Sequence, residues 1–180
     1  IINTAIQAAG EPNQVSISVS KQNYTHDMIM RTGAFTVSSI TEKADFSLFK
    51  RFGFQSGKEI NKFDGFDGWL RGINGVPYIT ESCNAYISVK VEKTVDLGSH
   101  TLFIGQVTDM EVLSEDPSVT YAYYQRNIKP NPVKVGTTPK GETVCRCIIC
   151  GYEYVGEELP EDFICPWCKH PASDFEKIVR

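Results

Sequence analysis

No apolar stretch in the 180-residue chain approaches the roughly 20 residues that a membrane-spanning helix requires, which excludes a helical membrane protein. Residues 1–20 also lack a basic start followed by an apolar core, so a secretory leader is not expected and a cytoplasmic location is. Excess positive charge is missing too. Lys and Arg number 18 against 22 Asp and Glu, for a net charge of −4, which leaves no field to attract a nucleic-acid backbone. Cysteine is almost absent from the first 144 residues, where Cys83 stands alone, so a disulfide framework is excluded there. Gly and Pro are too few for a disordered chain, and no internal repeat, heptad run or low-complexity tract is present. His26, His100 and His170 show no metal-ligand spacing and read as surface or capping residues. The chain opens on Ile1-Ile2 and not on Met, which suggests an upstream segment removed by processing or truncation.

The length suits one well-buried domain with an appendage, or two modest domains. Residues 127–143 carry three of the nine prolines and almost no apolar periodicity, which is the composition of a linker. Domains at 1–126 and 144–180 follow from it. In the first, Val15, Ile17 and Val19 alternate with Ser16, Ser18 and Ser20. Ala85, Ile87, Val89 and Val91 alternate in the same way with Ser88, Lys90 and Glu92. Residues 34–40 and 101–113 are two further β-rich runs, so the reading is mainly β, an antiparallel barrel or sandwich. Three helices are expected to interrupt it. Thr25 caps one that Gly33 ends, and Thr41 caps another with Ala44, Leu48 and Phe52 on one face. Asp116-Pro117 opens a third that runs through Tyr124.

The remaining five cysteines lie within residues 145–168. Cys147-Ile-Ile-Cys150 and Cys165-Pro-Trp-Cys168 are two CxxC pairs 14 residues apart, so four thiolates can converge from two short turns on a tetrahedral metal. Spacing alone leaves zinc and iron both open and favours zinc. Cys145 reads as a spare thiol and Cys83 as an apolar one. Around the ligands stand Gly151-Tyr152, Leu-Pro-Glu-Asp-Phe163, Pro166 and Asp174-Phe175-Glu176. With these residues the tail resembles rubredoxins, especially those with a short loop between the pairs. The resemblance implies one iron on Cys147, Cys150, Cys165 and Cys168, with zinc possible as a substitute, and a small aromatic core of Tyr152, Trp167, Phe175 and Phe163. Gly151 suits a turn with positive φ beside the sulfurs. Lys169 departs from the family pattern, which often has Gly there.

Elsewhere the sequence carries hydroxyls on one strand face (Ser16, Ser18, Ser20) and a Gln55-Ser56-Gly57-Lys58 turn with Lys62 one helical turn on, a combination able to hold a phosphate. In the order Asn3-Thr4, Val-Ser-Ile-Ser-Val-Ser20, Lys-Gln-Asn-Tyr24-Thr25, Phe-Thr-Val-Ser38-Ser39-Ile and Ser56-Gly57-Lys58 with Lys62-Phe63, residues 1–129 are similar to the flavin reductase-like family of FMN-binding split barrels. That resemblance implies a dimer with FMN at the interface. It places Ser20, Thr25, Ser56, Lys58 and Lys62 about the phosphate and ribityl chain, Asn3, Thr4, Ser38 and Ser39 near the ring, and Ser18, Tyr24 and Gly57 among the other cofactor-binding residues. Tyr123 and Tyr124 would cover the ring from the second subunit or serve a structural role.

The two modules together resemble high-molecular-weight rubredoxins. The resemblance implies a relay from NADH or NADPH through FMN to iron, and onward to an acceptor such as a flavodiiron oxygen or nitric oxide reductase. Two other functions remain open at this stage: a flavin reductase that releases reduced flavin and carries a structural zinc ribbon, and a zinc-ribbon protein-binding module. Residues 144–180 hold seven acids (Glu153, Glu157, Glu158, Glu161, Asp162, Asp174, Glu176) against four bases (Arg146, Lys169, Lys177, Arg180), an acidic surface suited to a basic acceptor.

Overall fold

The computed structural model describes residues 1–2, 4–130, 143–156, 158–166 and 170–179. The chain forms two compact units, one of residues 1–44 and 56–126, the other of residues 45–55 and 127–180.

The first unit is built on antiparallel strands, as the alternation of its sequence requires. Strands β1 (Ala5–Gly10), β2 (Asn13–Ser20), β3 (Ala34–Ile40), β6 (Cys83–Asp96) and β7 (His100–Val112) form a sheet in the order β1-β2-β7-β6-β3. Strands β4 (Trp69–Arg71) and β5 (Pro77–Ile79) form a separate hairpin. Val15, Ile17 and Val19 point to one side of β2 and are buried. They join Ile29, Phe35, Val89 and Phe103 in a single apolar cluster. β1 has no comparable alternation, and the sequence pattern did not mark it as a strand.

The simple alternation expected for β6 is broken. Irregularities between Ser88 and Val89 and between Val91 and Lys93 shift its register on β7. Tyr86 and Ser88 are buried as well as Val89, although they belong to the other face. Tyr78 of β5 covers Tyr86 there, the two rings stacked 3.9 Å apart. Gly105 on β7 leaves no room for a Cβ, which would collide with the Lys90 backbone and the Val89 side chain.

Helix α1 (Tyr24–Thr32) ends as expected at Gly33, whose φ of +65° allows its N–H to reach the Ile29 carbonyl at 2.9 Å. Its start differs from the expectation. Asn23, not Thr25, occupies the N-cap, and its side chain makes no capping bond. Thr41 caps nothing either: it is buried in a bridge to Ser118 and donates to the Ser82 carbonyl at 3.2 Å. The third helix is shorter than Asp116-Pro117 implied. Thr120 caps α3 (Tyr121–Tyr123) by accepting from the Tyr123 N–H at 3.1 Å, and a π-helical turn, Tyr124–Ile128, follows.

In the second unit, Asp45 caps α2 (Phe46–Gly53) by accepting from the Ser47 N–H at 2.7 Å, and Leu48 and Phe49 are its buried residues. Strands β8 (Thr143–Cys147), β9 (Glu153–Val155) and β10 (Phe175–Val179) form an antiparallel sheet in the order β10-β8-β9. Among the described residues no helix is long and apolar enough to cross a membrane.

Two measurements test this packing. Phe103 is fully buried at 0% exposure, so Phe103→Ala is expected to lower unfolding free energy by about 3–5 kcal/mol in denaturant titrations. Cys83 is buried at the start of β6, and burial, with the Glu81 charge second, pushes its thiol up to about 12. A raised thiol pKa favours the neutral form, and the thiolate is the nucleophile. Cys83 is therefore expected to resist iodoacetamide in the native protein at pH 8 and to react once unfolded, as mass spectrometry would show.

Candidate metal centre and flavin site

The turn after β8 assembles the first half of the metal centre. Cys147 closes the strand, its N–H bonding the Tyr152 carbonyl at 2.8 Å, while the Gly151 N–H returns to the Cys147 carbonyl at 2.8 Å. Gly151 adopts φ +77°, the left-handed conformation its position after Cys150 suggested. The second half is pinned by a bridge between Ile164 and Pro171 and by the Cys165 N–H bonding the His170 carbonyl at 2.8 Å. The sulfurs of Cys147, Cys150 and Cys165 all lie within 4.8 Å of one another, and all three residues are buried. Trp167, Cys168 and Lys169 lie outside the described residues, so the fourth ligand and the second knuckle do too.

The donor set fits a tetrathiolate metal. Cys150 and Cys165 sulfurs stand 3.5 Å apart, far beyond the ~2.05 Å of a disulfide. The separation is near the edge of a tetrahedron, about 3.8 Å, for metal–sulfur bonds of about 2.3 Å. Phe54, Tyr152 and Phe175 pack against the thiols. Phe163 meets Tyr154 and Phe175 edge-on at 5.1 and 5.5 Å, and Tyr152 at 6.4 Å, which gives the small aromatic cluster. Burial first, then the Cys165 charge, raises the Tyr152 hydroxyl above its ordinary pKa. Cys145 is buried outside the group, its sulfur 3.8 Å from the Gly156 carbonyl.

One acid expected on the surface is not there. Glu153, opposite Arg146 across β8 and β9, is only 3% exposed and accepts from the Arg146 guanidinium at 3.1 and 3.3 Å. Its side-chain charge is matched within the unit. Nothing in the local sequence distinguished it from its exposed neighbours Glu158, Glu161 and Asp162.

The flavin candidates are spread over the first unit. Asn3 lies outside the described residues, and Thr4 is exposed just before β1. Ser18 is exposed on β2. Ser20 ends that strand and accepts from the Gln22 N–H at 3.4 Å, leading into α1. Ser38 accepts from the Ile79 N–H at 2.9 Å, and Ser39 pairs with the Ser118 hydroxyl at 3.1 Å. Both hydroxyls thus have partners within the chain.

A tighter group forms at the start of α1. Tyr24 and Thr25 are its first two residues, and the Ser56-Gly57-Lys58 turn packs there: a Cβ on Gly57 would stand 3.4 Å from the Tyr24 ring. Ser56 accepts from the Lys58 N–H at 3.2 Å, and the Lys58 ammonium stands 5.6 Å from the centre of the Tyr24 ring. Asn23 makes no side-chain cap, and the first-turn N–H of His26 bonds the Asn23 carbonyl at 2.9 Å. Lys62 is half-buried, which holds its ammonium below the usual lysine pKa. His26, expected at the surface, is a partnered residue with a 13% exposed side chain, set between Asp27 and Thr101.

Residues 1–132 match the flavin reductase like domain, and residues 146–176 match the rubrerythrin, rubredoxin-like domain. A high molecular weight rubredoxin from Moorella thermoacetica is 35% identical across 99% of this chain and 88% of its own length. A ferric-chelate reductase (NAD(P)H) from Archaeoglobus fulgidus is 38% identical over 80% of this chain and 81% of its own. Among solved structures, an FMN-binding protein from Thermus thermophilus superposes with a TM-score of 0.54 at 24% identity, covering 61% of this chain and 59% of that one. A flavin reductase solved with NADP+ gives 0.55 at 24%, covering 64% and 69%. At such identities the solved structures share the fold. The chain belongs to the flavin reductase-like family and, along its whole length, to the high molecular weight rubredoxins, as a flavin reductase-like domain followed by a rubredoxin-like domain.

Proposed function

We propose that the chain is a cytoplasmic NAD(P)H-dependent flavin oxidoreductase. In this reading it relays electrons from the nicotinamide through FMN to one iron, and on to an acceptor of the flavodiiron oxygen or nitric oxide reductase type. The observation that carries this reading is the convergence of the buried Cys147, Cys150 and Cys165 sulfurs within 4.8 Å of one another, in a chain whose other domain is flavin reductase-like. When bound, FMN supplies the exchange between a two-electron hydride and single electrons, and the iron supplies a one-electron centre.

Each domain has a distinct task. Cys147, Cys150, Cys165 and Cys168 would hold the iron, while the aromatic cluster of Tyr152, Phe163 and Phe175 limits water around the thiols. Lys58, Ser56, Ser20 and Thr25 would bind the FMN phosphate beside the first turn of α1, with Tyr24, Gly57, Lys62 and Ser18 around them. Asn3, Thr4, Ser38 and Ser39 are the candidates for the ring. Exposed Ile148, Ile149 and Ile164 adjoin the cysteines, and exposed Glu158, Glu161, Asp162 and Glu176 belong to the same unit. Such a surface suits an acceptor with an apolar centre and a basic rim.

The relay is tested by rapid mixing with NADH. Protein loaded with FMN is expected to lose flavin absorbance and then ferric absorbance, whereas protein stripped of FMN keeps its iron oxidised. Cys147→Ser is expected to lose the iron signal and retain flavin reduction. Undiminished iron reduction in the stripped protein would rule the relay out. A second reading has reduced flavin leaving the protein and the tail serving as a structural zinc ribbon. Purified protein that contains zinc and no flavin would favour it.

The same reading includes a homodimer that completes the flavin site. Ile6, Met110 and Val112 are exposed, and Ile6 and Met110 line an open, largely apolar cavity of about 240 Å³ together with Val15, Ile87 and Val107. A second copy would cover this face. Sedimentation equilibrium is expected to show a dimer, and Ile6→Asp with Met110→Asp to give a folded monomer with weakened FMN binding. A wild-type monomer that binds FMN stoichiometrically would contradict the shared site.

A further inference from the structure

His26, Asp27 and Lys58 belong to a chain of contacts that the phosphate reading leaves unused. Asp27 has both oxygens engaged: Oδ1 lies 3.3 Å from His26 Nδ1, and Oδ2 lies 3.6 Å from the Lys58 ammonium. His26 Nε2 stands 2.9 Å from the Thr101 hydroxyl of β7, and its ring tilts against Phe103 at 5.7 Å. A carboxylate can only accept, so Nδ1 carries the hydrogen towards Asp27, and in the neutral ring Nε2 accepts from Thr101. Thr101 is buried, so the imidazole is held from the sheet side and fixes Asp27 with its second oxygen towards Lys58. The His26 bond is the largest cause of the lowered Asp27 pKa, with a smaller contribution from Lys58. The neighbouring Lys21–Asp96 pair, 2.6 Å long, satisfies its own charges.

Resting on the reading of Lys58 as the phosphate cation, we propose that Asp27, seated by His26, is the resident counter-ion of Lys58, and that an incoming flavin phosphate must displace it. Asp27 is then a positioning residue. It keeps the lysine beside Tyr24 when the site is empty, and it competes with the phosphate when flavin arrives. Its consequence is selectivity as well as affinity, because only a phosphorylated flavin carries the charge that can replace the carboxylate. The strength of the competition is bounded by exposure. The Asp27 and Lys58 side chains are 51% and 58% exposed, and a pair this open changes binding by at most about fivefold.

The test uses the full-length, iron-loaded chain stripped of flavin, titrated with FMN and separately with riboflavin at low salt, with binding read from flavin fluorescence. Asp27→Asn is expected to tighten FMN binding about two- to fivefold and leave riboflavin unchanged, while Asp27→Glu keeps the wild-type ratio of the two. Lys58→Met is expected to weaken FMN selectively, and Asp27→Asn added to Lys58→Met to bring little further gain. If Lys58→Met weakens FMN but Asp27→Asn leaves the FMN-to-riboflavin ratio unchanged, the counter-ion role falls and the phosphate site stands. An equal gain from Asp27→Asn with and without Lys58 also overturns it, since the aspartate would then act on the phosphate directly. If Lys58→Met leaves FMN binding unchanged, the phosphate reading itself falls.

Discussion

The pairing of β6 with β7 is the constraint on which the first domain rests. These are its longest strands, 14 and 13 residues; β3 attaches to the outer edge of β6 and β2 to that of β7, and β1 follows on β2. Close approach of the pair depends on Gly105, where a side chain would strike β6. Val89 and Phe103, one from each strand, are both fully buried, so the ladder also supplies the centre of the apolar cluster. Site geometry follows from this. Thr101, near the start of β7, presents its hydroxyl to His26 of α1, so the orientation of the first helical turn is tied to the sheet.

The second domain depends on a different balance. Its sheet has three short strands, and so small an apolar interior contributes limited stability on its own. Buried thiols side by side are poor packing material and good metal ligands, and binding a metal to them contributes folding free energy directly. Glu153 illustrates what burial demands of a charge in this domain: the carboxylate is removed from water and is matched by Arg146 across one pair of the β8–β9 ladder. The acidic exterior is therefore smaller than a count of acids indicates, and it lies on residues such as Glu158, Glu161 and Asp162.

The two domains combine different kinds of precision. In the metal centre, backbone bonds such as Gly151 to Cys147 and Cys165 to His170 fix the ligands within turns. At the start of α1, side chains from separate elements meet with half-exposed charges, whose pairing is weak.

What the sequence determined by itself is what local spacing encodes. The period-two alternation of Val15, Ile17 and Val19, the helix stop at Gly33 and the left-handed Gly151 act over a few residues and appear where the sequence placed them, and Cys147, Cys150 and Cys165 of the two cysteine pairs converge. Tertiary structure decided the rest, because those features join residues far apart in the chain. The β6 irregularities follow from its pairing with β7, and Thr41 exchanged a cap for a bridge to Ser118. Glu153 is buried because Arg146 lies opposite it, and no composition rule separates it from Glu158. His26 reads as a surface histidine until β7 brings Thr101 to it across 75 residues, since only folding sets what a polar side chain will meet.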